Sequence, residues 1–81
     1  MQVHTLFFAS YRELVGVPRL SVTLPGGSRA RELVVELRAR GAPFDRLPER
    51  PGLAVNEAWA SLDTELGPGD EIAFIPPVAG G

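Results

Sequence analysis

In SRARELVVELRARG (28–41), Ala30, Leu33, Val34 and Leu37 fall at i, i+3, i+4 and i+7, which predicts a helix with a single apolar stripe. Ser28 stands where an N-cap is wanted and Gly41 where the helix should stop. Arg29, Arg31, Arg38 and Arg40 lie mostly off the stripe beside Glu32 and Glu36, a charge pattern that reads as a solvated face rather than a binding patch. A helix with one apolar stripe must bury it against another layer, so the flanking segments decide the fold.

Those segments read as strands. PRLSVTLP (18–25) alternates Leu20, Val22 and Leu24 against Arg19, Ser21 and Thr23, a half-buried strand ended by the turn PGGS (25–28). QVHTLFFAS (2–10) is rich in β-branched and aromatic residues and carries apolar side chains on both parities at Leu6, Phe7 and Phe8. It is expected to be a central strand, or one whose second face meets a partner. Between the two, Ser10 and Glu13 have capping-box spacing and Gly16 suits a C-terminal cap, so YRELV (11–15) reads as a short helical turn. After the main helix, GAPFDRLPERPG (41–52) holds three prolines and is expected to be an irregular crossing loop anchored by Phe44 and Leu47. LAV (53–55) and AWASL (58–62), separated by Asn56 and Glu57, read as short strands. GPGD (67–70) is a turn, and EIAFI (71–75) is the last strand.

Two strands, a helix, an irregular crossing and further strands make an α+β layout with one main helix packed on one face of a mixed sheet. The β-grasp fold has this order and is the fold expected here; a ferredoxin-like α/β sandwich fits less well because a second full helix is missing. The β-grasp domain is expected to span 1–77, with 78–81 a flexible C-terminal diglycine tail.

Composition narrows the function classes. The 81 residues suffice for one domain with one modest core, and with no Cys there is neither a disulfide, a thiolate metal site nor a thiol nucleophile. His4 is the single histidine and is read as structural or surface; it leaves no material for a catalytic triad or a transition-metal site. PGGS lacks the Lys of a phosphate loop and is read as a plain turn, and Asp63 with Glu65 and Asp70 with Glu71 as turn and surface carboxylates. A net charge of −2 gives no electrostatic footprint for nucleic acid. No apolar run approaches a membrane span, and MQVHTLFF (1–8) lacks the features of a signal peptide, so a cytoplasmic protein without nucleic-acid or membrane partners is expected. All eight basic side chains are Arg; there is no Lys.

The remaining feature is FIPPVAGG (74–81). Pro76 and Pro77 cannot donate to a sheet ladder and favour a stiff, extended path off the body. Val78 and Ala79 can anchor in a groove, while Gly80 and Gly81 have no side chain to block a narrow channel. A terminal carboxylate at Gly81 would then be the reactive group, and as an anion it needs activation by another enzyme, most simply as an acyl-adenylate made from ATP.

LFFASYRELVG (6–16), LAVNEA (53–58) and above all PGDEIAFIPPVAGG (68–81) resemble the small subunit of molybdopterin synthase, the MoaD family of ubiquitin-like sulfur carriers. The resemblance spans nearly the whole chain; the loop 41–52 matches nothing in particular. It implies adenylation of Gly81 by a ubiquitin-activating-type partner (MoeB-like), conversion to a thiocarboxylate, and insertion of the tail into the large synthase subunit (MoaE-like), where sulfur passes to cyclic pyranopterin monophosphate. No cofactor is implied on the chain itself; ATP is used by the activating partner. Carried over by residue, Gly81 is the loading site and Gly80 gives access, while Phe74, Ile75, Pro76, Pro77, Val78 and Ala79 dock the tail and Phe8 or Leu6 extend the docking surface. Related carriers that serve thiazole or tRNA thiolation, and protein modifiers conjugated through the same terminus, share the diglycine; AFIPPV (73–78) favours the molybdopterin branch.

Overall fold

Strand β1 (Gln2–Phe7) pairs antiparallel with β2 (Arg19–Thr23), joined through helix α1 (Ala9–Val15). Helix α2 (Ala30–Arg38) follows, then a 3-10 turn at Phe44–Arg46, β3 (Gly52–Val55), β4 (Ala58–Ala60) and β5 (Glu71–Ile75). The five strands form one sheet in the order β2-β1-β5-β3-β4. The β1–β5 pair is parallel and every other pair antiparallel, the mixed β-grasp sheet expected from the element order. This computed structural model describes residues 1–77; the expected tail, with Val78, Ala79, Gly80 and Gly81, lies outside the described residues. Among the described residues no helix is long and apolar enough to cross a membrane.

The α2 stripe packs as its spacing predicts: Ala30, Leu33, Val34 and Leu37 are all buried against the inner face of the sheet. Strand alternation supplies that face with Val3, Thr5 and Phe7 from β1, Val22 from β2, Leu53 from β3, and Ile72 and Phe74 from β5. The Phe7 and Phe74 rings meet tilted by 55° with centroids 5.5 Å apart, and Phe44 of the crossing loop adds a third ring 6.3 Å from Phe7. Leu47 is buried beneath that loop, and the Arg38 side chain donates to its carbonyl at 2.8 Å. Phe44 and Leu47 anchor the crossing as expected.

Both helix starts differ from the sequence expectation. Ser28 does not cap α2: its hydroxyl donates to the Pro25 carbonyl at 2.7 Å and closes the preceding turn. Arg29 occupies the cap position, and the Glu32 carboxylate accepts from its N–H at 3.1 Å. The next two amides are met by the chain that leads into β5, Ala30 N–H by Thr64 O at 2.8 Å and Arg31 N–H by Leu62 O at 2.9 Å. In α1 the cap is Phe8, whose carbonyl accepts from the N–H groups of Tyr11 and Arg12, so Ser10 lies inside the first turn rather than before it. The C-terminal cap of α1 is the expected one: Gly16 has φ +85° and its N–H donates to Arg12 O at 2.9 Å.

Candidate functional site: an apolar groove on the open sheet face

The same alternation that buries Phe7 and Phe74 turns Leu6, Ala73 and Ile75 to the face that α2 leaves uncovered. The register lines up Leu6, Ala73, Ala54 and Trp59 in one row across β1, β5, β3 and β4. Two alanines in the middle of the row make a low floor. Leu6 and Phe8 rise on one side and Trp59 on the other, enclosing a groove of about 300 Å3. Phe8 is 48% exposed and Trp59 76%, large apolar surfaces facing solvent on one side of a small protein.

The groove has an apolar end and an acidic end. Ile75 stands at the first, next to Pro76 and Pro77, and beyond it a second hollow of about 610 Å3 lies between Tyr11, Arg50, Trp59 and the two prolines. Burial pushes the Tyr11 phenol above its ordinary range. At the other end stand Glu57 and Glu71, and an ion pair of 3.3 Å joins Glu71 to Arg19. His4 lies next to Glu71 in the register and shares a 3.1 Å hydrogen bond between Nδ1 and Ser21 Oγ.

This end is tied together by Asn56. Its N–H donates to Glu71 O at 2.8 Å, its Oδ1 accepts from Glu71 N–H at 3.0 Å, and its Nδ2 donates to Asp70 Oδ1 at 3.0 Å. Asp70 Oδ2 accepts from Gly67 N–H at 2.7 Å, and these two donors, the Gly67 amide first, hold the Asp70 carboxyl below its ordinary range. The hairpin between β3 and β4 is thereby tied to the start of β5 beside the groove.

Of the residues expected to meet a partner, the structure brings Leu6, Phe8, Ile75, Pro76 and Pro77 to one side of the molecule, at the point from which residues 78–81 continue. Phe74 is a correction: it is 0% exposed in the centre of the core, so its side chain cannot dock. Gly81, Gly80, Val78 and Ala79 lie outside the described residues. Trp59 was not foreseen. The signal available was its parity, since in AWA the tryptophan alternates with two alanines on a three-residue edge strand too short to bury it. Among the described residues no three of His, Asp and Glu converge as ion ligands. An apolar groove with a proline-stiffened strand end beside it is suited to docking a protein.

A profile described as the ThiS family matches residues 5–81. A molybdopterin synthase sulfur carrier subunit from Mycobacterium tuberculosis is 39% identical, the match covering 100% of this chain and 99% of that one. Among solved structures, a molybdopterin converting factor subunit 1 from Pyrococcus furiosus superposes with a TM-score of 0.82 at 32% identity, covering 96% of this chain and 99% of the other. A chain of the protein-protein complex of subunits 1 and 2 of the molybdopterin-converting factor from Helicobacter pylori shares the fold, with a TM-score of 0.72 at 24% identity and full coverage of both chains. Matched by the profile over all but its first four residues and by a sulfur carrier subunit along its whole length, the chain belongs to the ThiS family, with the molybdopterin synthase sulfur carrier subunits among its relatives.

Proposed function

We propose that this chain is the sulfur carrier subunit of a molybdopterin synthase and works in the cytoplasm. The observation that carries the reading is the end-to-end match to a sulfur carrier subunit, which takes in the diglycine at Gly80 and Gly81. The Gly81 carboxylate attacks the α-phosphate of ATP on an activating enzyme, giving an acyl-adenylate and pyrophosphate. A sulfur nucleophile then displaces AMP and leaves a thiocarboxylate. In the large synthase subunit that sulfur bonds to a carbon of cyclic pyranopterin monophosphate, and water then cleaves the acyl–sulfur bond, leaving the sulfur on the pterin and restoring the carboxylate. The large subunit covers the groove between Phe8 and Trp59 while Pro76 and Pro77 direct Val78, Ala79 and the glycines into its active site. The chain supplies the thin end and the docking face; its partners supply the catalysts.

A variant lacking Gly81 tests this. Its melting temperature should equal that of the parent, because the core lies within residues 1–77. It should yield no thiocarboxylate with ATP, the activating enzyme and a sulfide source, and no molybdopterin with the large subunit. Molybdopterin formation by the truncated chain would overturn the reading, and a loaded parent that passes its sulfur to thiazole or tRNA but not to the pterin would move the chain to another branch of the carriers.

A further inference from the structure

The hairpin tip at the acidic end of the groove carries a residue that its backbone disfavours. Asn56 and Glu57 have φ of +49° and +71°, both left-handed, as a two-residue turn between antiparallel strands requires. Asn tolerates that conformation and the second position favours Gly, whereas a Glu side chain there is strained. No hydrogen bond or ion pair among the described residues accounts for it. Glu57 is exposed, and among the described residues its carboxylate has neither a hydrogen-bond nor an ion-pair partner. Instead it stands on the wall of the groove. The groove is otherwise apolar apart from Glu71, whose charge is compensated by Arg19, and no basic side chain lines it.

We propose that Glu57 is a specificity-determining residue of the docking face, selecting a protein partner that presents an apolar side chain to the groove and a guanidinium or ammonium group beside it. The proposal rests on the reading of this face as the surface covered by the large subunit. An uncompensated carboxylate at the rim of an apolar groove acts through complementarity: it speeds encounter with a basic partner and repels an acidic one. It would also repel nucleic acid, whose phosphates carry the same sign of charge. Because the charge is exposed, its effect should fade as salt rises.

The test measures association with the large synthase subunit encoded in the same genome, by stopped flow across a range of NaCl concentrations, for the parent and for Glu57→Gly and Glu57→Gln. Glu57→Gly relieves the turn, so its melting temperature should rise. At low salt both variants should associate roughly three- to tenfold more slowly than the parent, with a flatter salt dependence. If both associate as fast as the parent with the same salt dependence, the proposal is overturned while the docking face stands. A Glu57→Gly protein that is less stable than the parent would also overturn it, by making Glu57 a structural residue. If the folded parent itself does not bind the large subunit, the docking reading fails first and the role of Glu57 falls with it.

Discussion

Phe74 and Ile75 are neighbours of similar hydrophobicity with opposite tasks, because successive side chains of a strand point to opposite faces. Phe74 fills the centre of the core against Phe7, and Ile75 lies half-buried on the outer face between the two hollows. Truncating each to Ala should therefore separate stability from binding. Phe74→Ala should lose about 3 to 5 kcal/mol of unfolding free energy in urea, the range for a large buried aromatic. Ile75→Ala should keep most of the stability and lower the affinity for the large subunit by about tenfold or more by calorimetry, as for an anchor near an interface centre. Equal losses of stability with binding unchanged would show that the outer face is not the docking face. Strand parity in the sequence requires that two neighbours face opposite sides. It could not say which parity met the helix, since both neighbours are apolar and α2 lies far away in the chain.

At the scale of the element, what was legible was periodicity and what was hidden was the choice of partners at the ends. The α2 stripe, the alternation in β2 and the turns at Gly16 and Gly67–Asp70 follow from local pattern. The start of α2 does not, because the Ser28 hydroxyl closes the preceding turn onto Pro25 O, and the first helix amides go to Leu62 O and Thr64 O across the fold. The turn into β5 gives a pH test. Folding depresses the Asp70 pKa through the Gly67 amide and Asn56, so its ionised form stabilises the native state above the unfolded pKa of about 4, and that contribution is lost as pH falls through the lower folded value. The stability gap between the parent and Asp70→Asn, read from urea midpoints, should be largest near neutral pH and close progressively below about pH 4. The pairing of β3 with β5 gives a steric one. At Gly52 a Cβ would stand 2.9 Å from the carbonyl oxygen of Ile75, and that atom belongs to a sheet backbone that cannot swing away. Gly52→Ala should cost about 1 to 3 kcal/mol, as overpacking does, and should weaken docking as well, because the shift falls on Ile75. Both are measurable on one preparation by urea unfolding and calorimetry.

For the whole molecule, one face of the sheet packs on α2 and the other is left uncovered among the described residues, an arrangement that, on the proposed function, suits a carrier passed between enzymes. The side chains restrict what can be attached to it. Its eight basic residues are all Arg, so no side chain offers the amine that an isopeptide bond needs, and the amino group of Met1 donates to Leu24 O at 2.7 Å at the junction of β1 and β2. A guanidinium stays protonated at any working pH and is no substitute nucleophile. On the proposed function the chain is loaded at the Gly81 carboxylate, and with no lysine it offers no side-chain amine for further copies of itself. Incubation with ATP, the activating enzyme and a sulfide source should accordingly give one new species by intact mass spectrometry, heavier than the parent by the exchange of one oxygen for sulfur, with fragmentation placing the change at Gly81. A ladder of covalent multimers would contradict this, because the sequence contains no lysine and the Met1 amino group is held on Leu24 O. An unchanged mass in the presence of an enzyme shown to load another carrier would remove the sulfur-carrier reading, since nothing else in the chain could accept the sulfur.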